Sequence, residues 1–323
     1  MFRYNANQGF KVTKNSRYRK IVLSLFMNDL KLIAIYYYIC QYYDSTLCHH
    51  CQRFSNNSSQ PSFTDKELLT VYLYVMIEEE KFKIKSIHEF AKKYLLSWFP
   101  DLPSYAAFNN RLNRISNVFA ILLVHTISLI KTTGIDFNVS LVDSFPVITC
   151  SAKRRGKVAK ELTDKGYCST KKLHYYGVKI HCIAFKRAGK LPVPEYIGVT
   201  QASKHDLTAI RYLLEQIYHR QLFADKAYCD TDLEEQLKND NQLVIHTPIK
   251  LVKGESEDKR AFLNAYRAVV STAVSKVRQP IESLFNWFIE KTDIQRASKV
   301  RSTEGLIVHI FGRLNAALLN WVF

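Results

Sequence analysis

Apolar residues recur with a helical period over the first 135 or so positions, and two polar pairs mark where helices begin. Thr64 is followed three residues later by Glu67, and Ser86 by Glu89, which is the spacing of a capping box. In a capping box the hydroxyl and the carboxylate bond the free backbone N–H groups of a helix start. We therefore predict two helices that begin at these pairs, within a mainly helical N-terminal domain over residues 1–135.

A third helix is predicted after Pro103 and Ser104, where apolar residues again recur at helical spacing. Its apolar face carries Phe108, Leu112, Ile115, Phe119 and Leu122, and its other face carries Asn109, Asn110, Arg111, Asn113 and Arg114. Three short helices, the last rich in Arg and Asn, suit a helix-turn-helix-like module that binds DNA through Arg111 and Arg114. A helical bundle with exposed polar residues is the alternative.

From about residue 136 the hydrophobic pattern changes to strand-like runs rich in Val, Ile, Tyr and Phe. Three sequential strands are predicted at Val139–Ile148, Tyr175–Phe185 and Glu195–Gln201. There follow a helix from Asp206, a strand at Leu222–Ala224, a helix at Leu233–Leu237, a strand at Leu243–Thr247 and a helical stripe from Val270 to Phe288 with a kink or restart at Pro280. This order predicts an α/β domain over residues 136–323, with a mixed sheet flanked by helices.

The composition excludes some classes of protein and points to a polyanionic partner. A hydrophobic content of 47% with 10 Gly and 8 Pro in 323 residues excludes a disordered or collagen-like chain. The 46 Lys and Arg outnumber the 29 Asp and Glu, and a formal net charge of +17 favours DNA or RNA as the partner. The glycine loops that bind ATP or dinucleotides do not occur, so enzymes dependent on those ligands are not expected.

The positive charge is concentrated in one stretch of the chain. Residues 151–190 hold twelve basic and two acidic side chains, with Tyr and His between them. We predict that this stretch follows a phosphate backbone through Lys153, Arg154, Arg155, Lys171 and Lys172. A charged face that is merely solvated is the alternative.

The cysteines and the apolar runs bear on the cellular compartment. Seven scattered cysteines without an apolar leader predict a reduced, intracellular compartment. The longest apolar runs are too short to span a bilayer or carry charged residues, so no membrane association is expected. Cys48, His49, His50 and Cys51 form a metal-like cluster, but no second ligand pair follows, and we do not predict a zinc site there.

Three acidic residues occupy positions in or beside apolar elements, where a charged side chain is uncommon unless it has a function or a partner. Asp143 lies within an apolar strand, Asp225 follows the strand Leu222–Ala224, and Glu282 lies on the last helical stripe. If those two strands are neighbours, the two Asp carboxylates converge, and Glu282 could complete the cluster. Carboxylates without His or Cys suit Mg²⁺ or Mn²⁺, and a pair of such ions serves phosphoryl transfer. We predict that the three acids are catalytic and bind two metal ions.

Each acid also has a simpler interpretation. Asp143 suits a turn at a strand end, Asp225 could pair with Lys226, and Glu282 could cap a helix start. The acid Asp206 stands directly before an apolar helical stripe, which favours an N-cap over a catalytic role.

Five motifs in one order resemble the DDE-superfamily transposases of bacterial insertion sequences, most closely the nine-eight-two insertion-sequence family. The motifs are Val142–Val147 (VDSFPV), His174–His181 (HYYGVKIH), His205-Asp206 after Gly198–Thr200 (GVT), Ala224–Tyr228 (ADKAY) and Arg278–Phe285 (RQPIESLF). The resemblance extends from about residue 63 to the C-terminus.

The resemblance implies a ribonuclease H-like domain with Asp143, Asp225 and Glu282 as metal ligands and Arg278 near the DNA phosphates. It implies divalent-metal-dependent cleavage of a DNA strand by water, followed by attack of the freed 3′-hydroxyl on target DNA. The implied partners are the terminal inverted repeats of the element and the target DNA, bound by a homo-oligomer such as a dimer in the bacterial cytoplasm. An inactive DNA-binding protein of the same fold and a nuclease without strand transfer stay open as alternatives.

Overall fold

A group of helices precedes a mixed sheet that has helices on both faces. A computed structural model describes residues 16–51, 61–153, 158–168, 172–249 and 257–323. The first helices are α1 (Ser16–Ser45), α2 (Asp65–Glu78), α3 (Ile84–Tyr94), α4 (Tyr105–Arg114) and α5 (Val118–Ser128). The strands are β1 (Ile135–Ser151), β2 (Asp164–Cys168), β3 (Leu173–Arg187), β4 (Val193–Gln201), β5 (Arg220–Phe223) and β6 (Leu243–His246). The later helices are α6 (Asp206–Leu214), α7 (Thr231–Asn241), α8 (Glu257–Thr292), α9 (Thr303–Ile307) and α10 (Arg313–Leu319).

The start of α2 is the predicted capping box. The backbone N–H of Thr64 donates to Glu67 Oε2 (2.5 Å), and the N–H of Glu67 donates to Thr64 Oγ1 (3.2 Å). Both donors would otherwise lack a partner within the helix, so this local exchange fixes where the helix begins. Ser104 caps α4 through its hydroxyl, as its position after Pro103 predicts.

The predicted start of the next helix at Ser86 is wrong. The helix α3 begins at Ile84, because the N–H of Ile87 bonds the carbonyl of Lys83 and closes a helical turn before Ser86 can act as a cap. The apolar stripe assigned to one helix is also divided between α4 and α5, although all five of its residues are buried.

The core of the helical region is shared with the C-terminal end of the chain. Helix α10 packs against α2 and α5. Val308, Ala316 and Leu319 lie in the same cluster of buried side chains as the apolar residues of α2 to α5. Residues 1–135 therefore do not form this core alone, and the domain boundary at residue 135 stays a prediction.

The sheet has the order β2-β3-β1-β5-β6, and β4 pairs with the second half of β3. Strand β1 is antiparallel to β3 and parallel to β5, and β5 is parallel to β6. The predicted strands are confirmed, and the structure adds β2, whose sequence DKGYC lacks the β-branched residues that mark a strand. The mixed sheet with flanking helices agrees with the predicted ribonuclease H-like architecture.

Alternation along β1 separates the two faces of the sheet. Leu141, Phe145 and Val147 are buried with the apolar side of α8, whereas Val142 is buried with α6 and α7. Because successive strand residues point to opposite faces, Asp143 lies on the α8 side and Ser144 on the α6 side. The two sides therefore have different polar surroundings.

Helix α8 continues through Pro280, so the restart predicted there does not occur. Proline removes one backbone hydrogen bond from a helix interior. The next apolar residues, Ile281, Leu284 and Phe285, are buried against the sheet, and their packing holds the helix in place. In the part of the chain that the structure describes, no helix combines the length and apolar content needed to cross a membrane.

Candidate active site

Asp143 lies within β1, and Asp225 lies just beyond the end of the adjacent parallel strand β5. The last paired residues of β1 and β5 are Leu141 and Phe223, and each Asp follows its paired residue by two positions. The expectation that these strands are neighbours is confirmed, and the adjacency brings the two residues to one region of the sheet. Asp225 is exposed at the start of a short 3₁₀ turn, and within the described residues it forms no ion pair with Lys226.

Arg278 connects α8 to the strand that carries Asp143. Its Nη1 donates to Asp143 Oδ2 (2.5 Å), and its Nη2 donates to Glu282, four residues further along the helix. The spacing of four residues places Arg278 and Glu282 on one face of the helix. Glu282 lies well inside α8, so it does not cap a helix start. We call Asp143, Asp225, Glu282 and Arg278 the carboxylate centre.

The carboxylates at this centre are incompletely neutralised. Burial raises the pKa of Asp143 to about 6, although Arg278 and the backbone N–H of Ser144 act in the opposite direction. The charges of Asp225 and Glu282 contribute to the same rise in the pKa. Burial lowers the pKa of Arg278, but the three carboxylates outweigh burial and raise it overall. One guanidinium is therefore shared by several negative groups.

The donor set has the chemistry of a site for a hard divalent cation. Carboxylate oxygens are the ligands that Mg²⁺ and Mn²⁺ prefer, and three carboxylates here act on one guanidinium. With Arg278 between Asp143 and Glu282, no three His, Cys, Asp or Glu side chains in the described ranges stand close enough to hold a metal ion. The same holds for the Cys48–Cys51 cluster, where Cys48 instead contacts a backbone carbonyl.

Asp206 lies on the opposite face of the sheet from Asp143. The N-cap of α6 is His205, and Asp206 is the first helical residue, so the N-cap predicted for Asp206 is wrong by one position. The reason is that its carboxylate bonds across to the sheet, where Oδ1 accepts from Ser144 Oγ (2.9 Å) and Lys179 Nζ (3.0 Å). Asp206 therefore lies behind the strand that carries Asp143.

His181 belongs to the same network. It stands opposite Ser144 in the β1–β3 pairing, with Nε2 at 2.8 Å from Thr200 Oγ1 and Nδ1 at 3.9 Å from Asp206. Burial lowers the pKa of His181 to about 4, even though Asp206 acts to raise it. The imidazole is thus neutral at physiological pH and acts as a hydrogen-bonding group.

The functional interpretation of the sequence did not include this network. Its signal was present, because Lys179 and His181 are two residues apart in a strand and so share one face. The spacing within their motif does not indicate that Asp206 lies beside them. The role of Ser144, whose backbone N–H donates to Asp143 Oδ1 (2.8 Å), likewise has no signal in the sequence.

The basic residues predicted to contact DNA have different surroundings. Lys153, Lys172 and Arg114 are exposed. Arg154, Arg155 and Lys171 lie outside the described residues.

Arg111 does not belong to an exposed polar face, which corrects the expectation for that side chain. Its guanidinium donates to Asp65 and to the carbonyl of Phe63 (2.5 Å), and its side chain is only 13% exposed. The reason is the proximity of the start of α2, where Asp65 is buried and takes this cation as a counter-ion. Arg111 therefore connects two helices.

Comparison with known protein families gives one match that covers more than half of the chain. A family model described as "Transposase DDE domain" matches residues 135–320. The matched segment contains all four residues of the carboxylate centre and every strand of the sheet. Comparisons with curated proteins and with solved structures give no match.

Proposed function

The chain belongs to the transposase DDE domain family, and on that premise we propose that Asp143, Asp225 and Glu282 catalyse DNA strand cleavage and strand transfer. The reaction is cleavage at the ends of an insertion sequence, followed by attack of the freed 3′-hydroxyl on target DNA. The narrower assignment to the nine-eight-two insertion-sequence family stays a prediction.

One observation carries the assignment of the site. Arg278 is bonded to both Asp143 and Glu282, and the charge of Asp225 acts on the same guanidinium. Three acids from two neighbouring strands and one helix therefore share a single positive group. Separate structural roles would not require Asp143 and Glu282 to bond the same cation.

Asp143, Asp225 and Glu282 are the residues that would hold Mg²⁺ or Mn²⁺, with two ions as the proposed complement. When bound, such ions stabilise negative charge on phosphate oxygens and on the attacking and leaving oxygens. The side chains of the protein supply the positioning. The N–H of Ser144 fixes one oxygen of Asp143, and Arg278 orients the other oxygen together with Glu282. We also propose that Arg278 contacts a DNA phosphate when DNA is bound.

Asp206 is proposed as a positioning residue. It holds the hydroxyl of Ser144 from the opposite face of the sheet, and Ser144 is the residue whose N–H fixes Asp143. The DNA partners in this proposal are the terminal inverted repeats and the target, bound by a dimer or a larger homo-oligomer. Exposed Lys153, Lys172 and Arg114 are proposed to contact phosphates, together with Arg154, Arg155 and Lys171.

The test is processing of a supercoiled plasmid that carries the DNA flanking the gene, in Mg²⁺ or Mn²⁺. Asp143→Asn and Glu282→Gln are compared with Asp240→Asn, which removes one exposed carboxylate on α7. We expect end-specific nicks and joined products from the parent and from Asp240→Asn. Both products should fall by at least about a thousandfold in the other two variants, because several kcal/mol of transition-state stabilisation are lost.

Three other outcomes would contradict parts of the proposal. Nicks without joined products would indicate a nuclease without strand transfer. Tight binding to the flanking DNA without metal-dependent cleavage would indicate an inactive DNA-binding protein. Full activity in either active-site variant would show that the acids have been assigned wrongly.

A further inference from the structure

A large open cleft lies between the helical region and the segment that joins α8 to α9. Its volume is about 870 Å³, and its walls are the α2–α3 connection, α4 and residues 293–305. Most of its charged side chains are basic, and we call it the basic cleft after Lys81, Lys83, Lys85, Arg296, Lys299 and Arg301. None of the residues of the carboxylate centre lines it.

The positive charge in this cleft is only partly compensated. Seven Lys or Arg and two carboxylates line the cleft. Of the carboxylates, Glu80 pairs with Lys291 outside the cleft (3.0 Å). Lys81 and Lys85 have weak acidic neighbours at 3.6 and 3.8 Å.

Three exposed cations of the cleft have no partner for their side chains among the described residues, whereas a fourth, Arg301, donates to the carbonyls of Ser298 and Val300. The three are Lys83, Arg296 and Lys299, for which no carboxylate of the described chain lies within ion-pair distance. Arg313 is different, because it is buried and donates to the carbonyls of Thr292 and Phe82. The free cations therefore stand at the rim of the cleft, where a polyanion can reach them.

Neutral polar groups lie beside these cations. Asn109 and Asn113 of α4 line one wall, and Ser298 and Ser302 line the other. Amides, hydroxyls and exposed Lys or Arg are the groups that contact the sugar–phosphate backbone of DNA. This set of donors therefore suits contact with the backbone.

The cleft is connected directly to the strand of the carboxylate centre. The N–H of Ile148 in β1 bonds the carbonyl of Gln295 (2.8 Å), and the N–H of Ala297 bonds the carbonyl of Ile148 (2.9 Å). Ile148 follows Asp143 by five residues, which is about 17 Å along a strand. At about 3.4 Å for each base pair, this distance corresponds to roughly five base pairs of duplex.

We propose that the basic cleft binds the phosphate backbone of duplex DNA on the flank of the segment held at the carboxylate centre. The proposal rests on the proposed function only in taking DNA as the partner. Binding at the cleft is independent of sequence and of metal, because phosphate groups and fixed cations supply it. Its effect is to hold the duplex in register with β1.

The experiment measures binding of a 30-base-pair duplex in EDTA, so that no cleavage is involved. A triple variant with Lys83→Gln, Arg296→Gln and Lys299→Gln removes the free cations of the cleft. Its matched control carries Lys131→Gln, Arg211→Gln and Lys238→Gln, which removes three exposed charges away from the cleft. Affinity is measured over a range of salt concentrations, and unfolding curves check that both proteins are folded.

We expect the cleft variant to bind the duplex at least about tenfold more weakly, with the salt slope reduced by up to about 2.7 for three lost phosphate contacts. The control should change the affinity by less than about threefold, through long-range electrostatics alone. Equal losses in the two triple variants, or no loss in the cleft variant, would overturn the proposal. Tighter binding of a duplex RNA than of the DNA, abolished by the same cleft substitutions, would overturn the choice of DNA.

These outcomes are separable from those of the cleavage test. Loss of cleavage in Asp143→Asn with unchanged binding by the cleft variant would support the carboxylate centre and overturn the proposal for the cleft. Loss of binding in the cleft variant with no cleavage by the parent protein would support the cleft and overturn the proposed catalysis.

Discussion

Positive charge has opposite surroundings at the carboxylate centre and at the basic cleft. At the centre, Arg278 is 13% exposed and is bonded to two carboxylates of the protein itself. At the cleft, Lys83 and Lys299 are exposed, and no carboxylate of the described residues pairs with them. Arg278 thus holds the carboxylate centre together, whereas the free cations of the cleft are available to a partner.

The two regions are also incompletely neutralised, and the excess charge has opposite signs. The centre holds three carboxylates and one guanidinium, so its negative charge is only partly neutralised. The cleft holds more positive charge than its two carboxylates neutralise. A metal ion suits the first region, and a phosphate backbone suits the second. A transposase that acts on DNA needs both.

Helix α4 carries one paired and one exposed cation within a single turn, Arg111 and Arg114. In Arg111→Gln the Asp65 carboxylate, only 6% exposed, loses a charged hydrogen-bond donor, so we expect the free energy of unfolding to fall by about 1.5 to 3 kcal/mol. In Arg114→Gln an exposed charge is removed, and the change should stay within about 0.5 kcal/mol. Denaturant unfolding at pH 7 measures both. Similar values for the two variants would show that the ion pair to Asp65 contributes little.

The comparison of the two regions is tested directly by Arg278→Gln and Lys299→Gln in EDTA. Removing Arg278 leaves Asp143 and Glu282 without their shared cation, and we expect a loss of about 2 kcal/mol in the free energy of unfolding. Removing the exposed Lys299 should cost less than about 0.5 kcal/mol. Mg²⁺ should then raise the thermal midpoint of Arg278→Gln more than that of the parent protein. No stabilisation by Mg²⁺ in either protein would argue against a metal site.

The pH dependence of stability isolates Asp143. Its pKa is raised from 3.8 to about 6 on folding, so the folded state binds the proton more tightly than the unfolded state. The stability that this proton contributes is complete below about pH 4 and is lost as the pH rises through about 6. In EDTA, the parent protein should lose about 2 kcal/mol more than Asp143→Asn between pH 4 and pH 7. Parallel pH profiles for the two proteins would show that the pKa of Asp143 is not raised.

Much of the fold could be predicted from local patterns. Runs rich in Val, Ile, Tyr and Phe gave the long strands β1 and β3, and the Thr64–Glu67 pair gave the start of α2. These features depend on interactions within a few residues, so the sequence contains all that they need. The short strand β2 was missed because its pairing with β3 stabilises a segment with little strand propensity.

The candidate site could be predicted only in part. The acids stood out because charged residues are uncommon beside apolar strand positions, and the four-residue spacing of Arg278 and Glu282 placed both on one helix face. The contact from Arg278 to Asp143 spans 135 residues of sequence, and no local pattern contains it. The inward direction of Arg111 and the attachment of Asp206 to Ser144 were missed for the same reason.

The amino-acid sequence contains the periods of the helices and strands, the excess of positive charge, and the residue types of a phosphoryl-transfer centre. Packing settled which charges are neutralised internally. Arg278 bonds the half-buried Asp143 and the exposed Glu282, and Arg111 bonds the buried Asp65. Lys83 and Lys299 instead come from distant segments to one cleft, without a carboxylate partner among the described residues. The physical reason is that a period depends on neighbours within one turn or strand, whereas a counter-ion depends on which elements pack together.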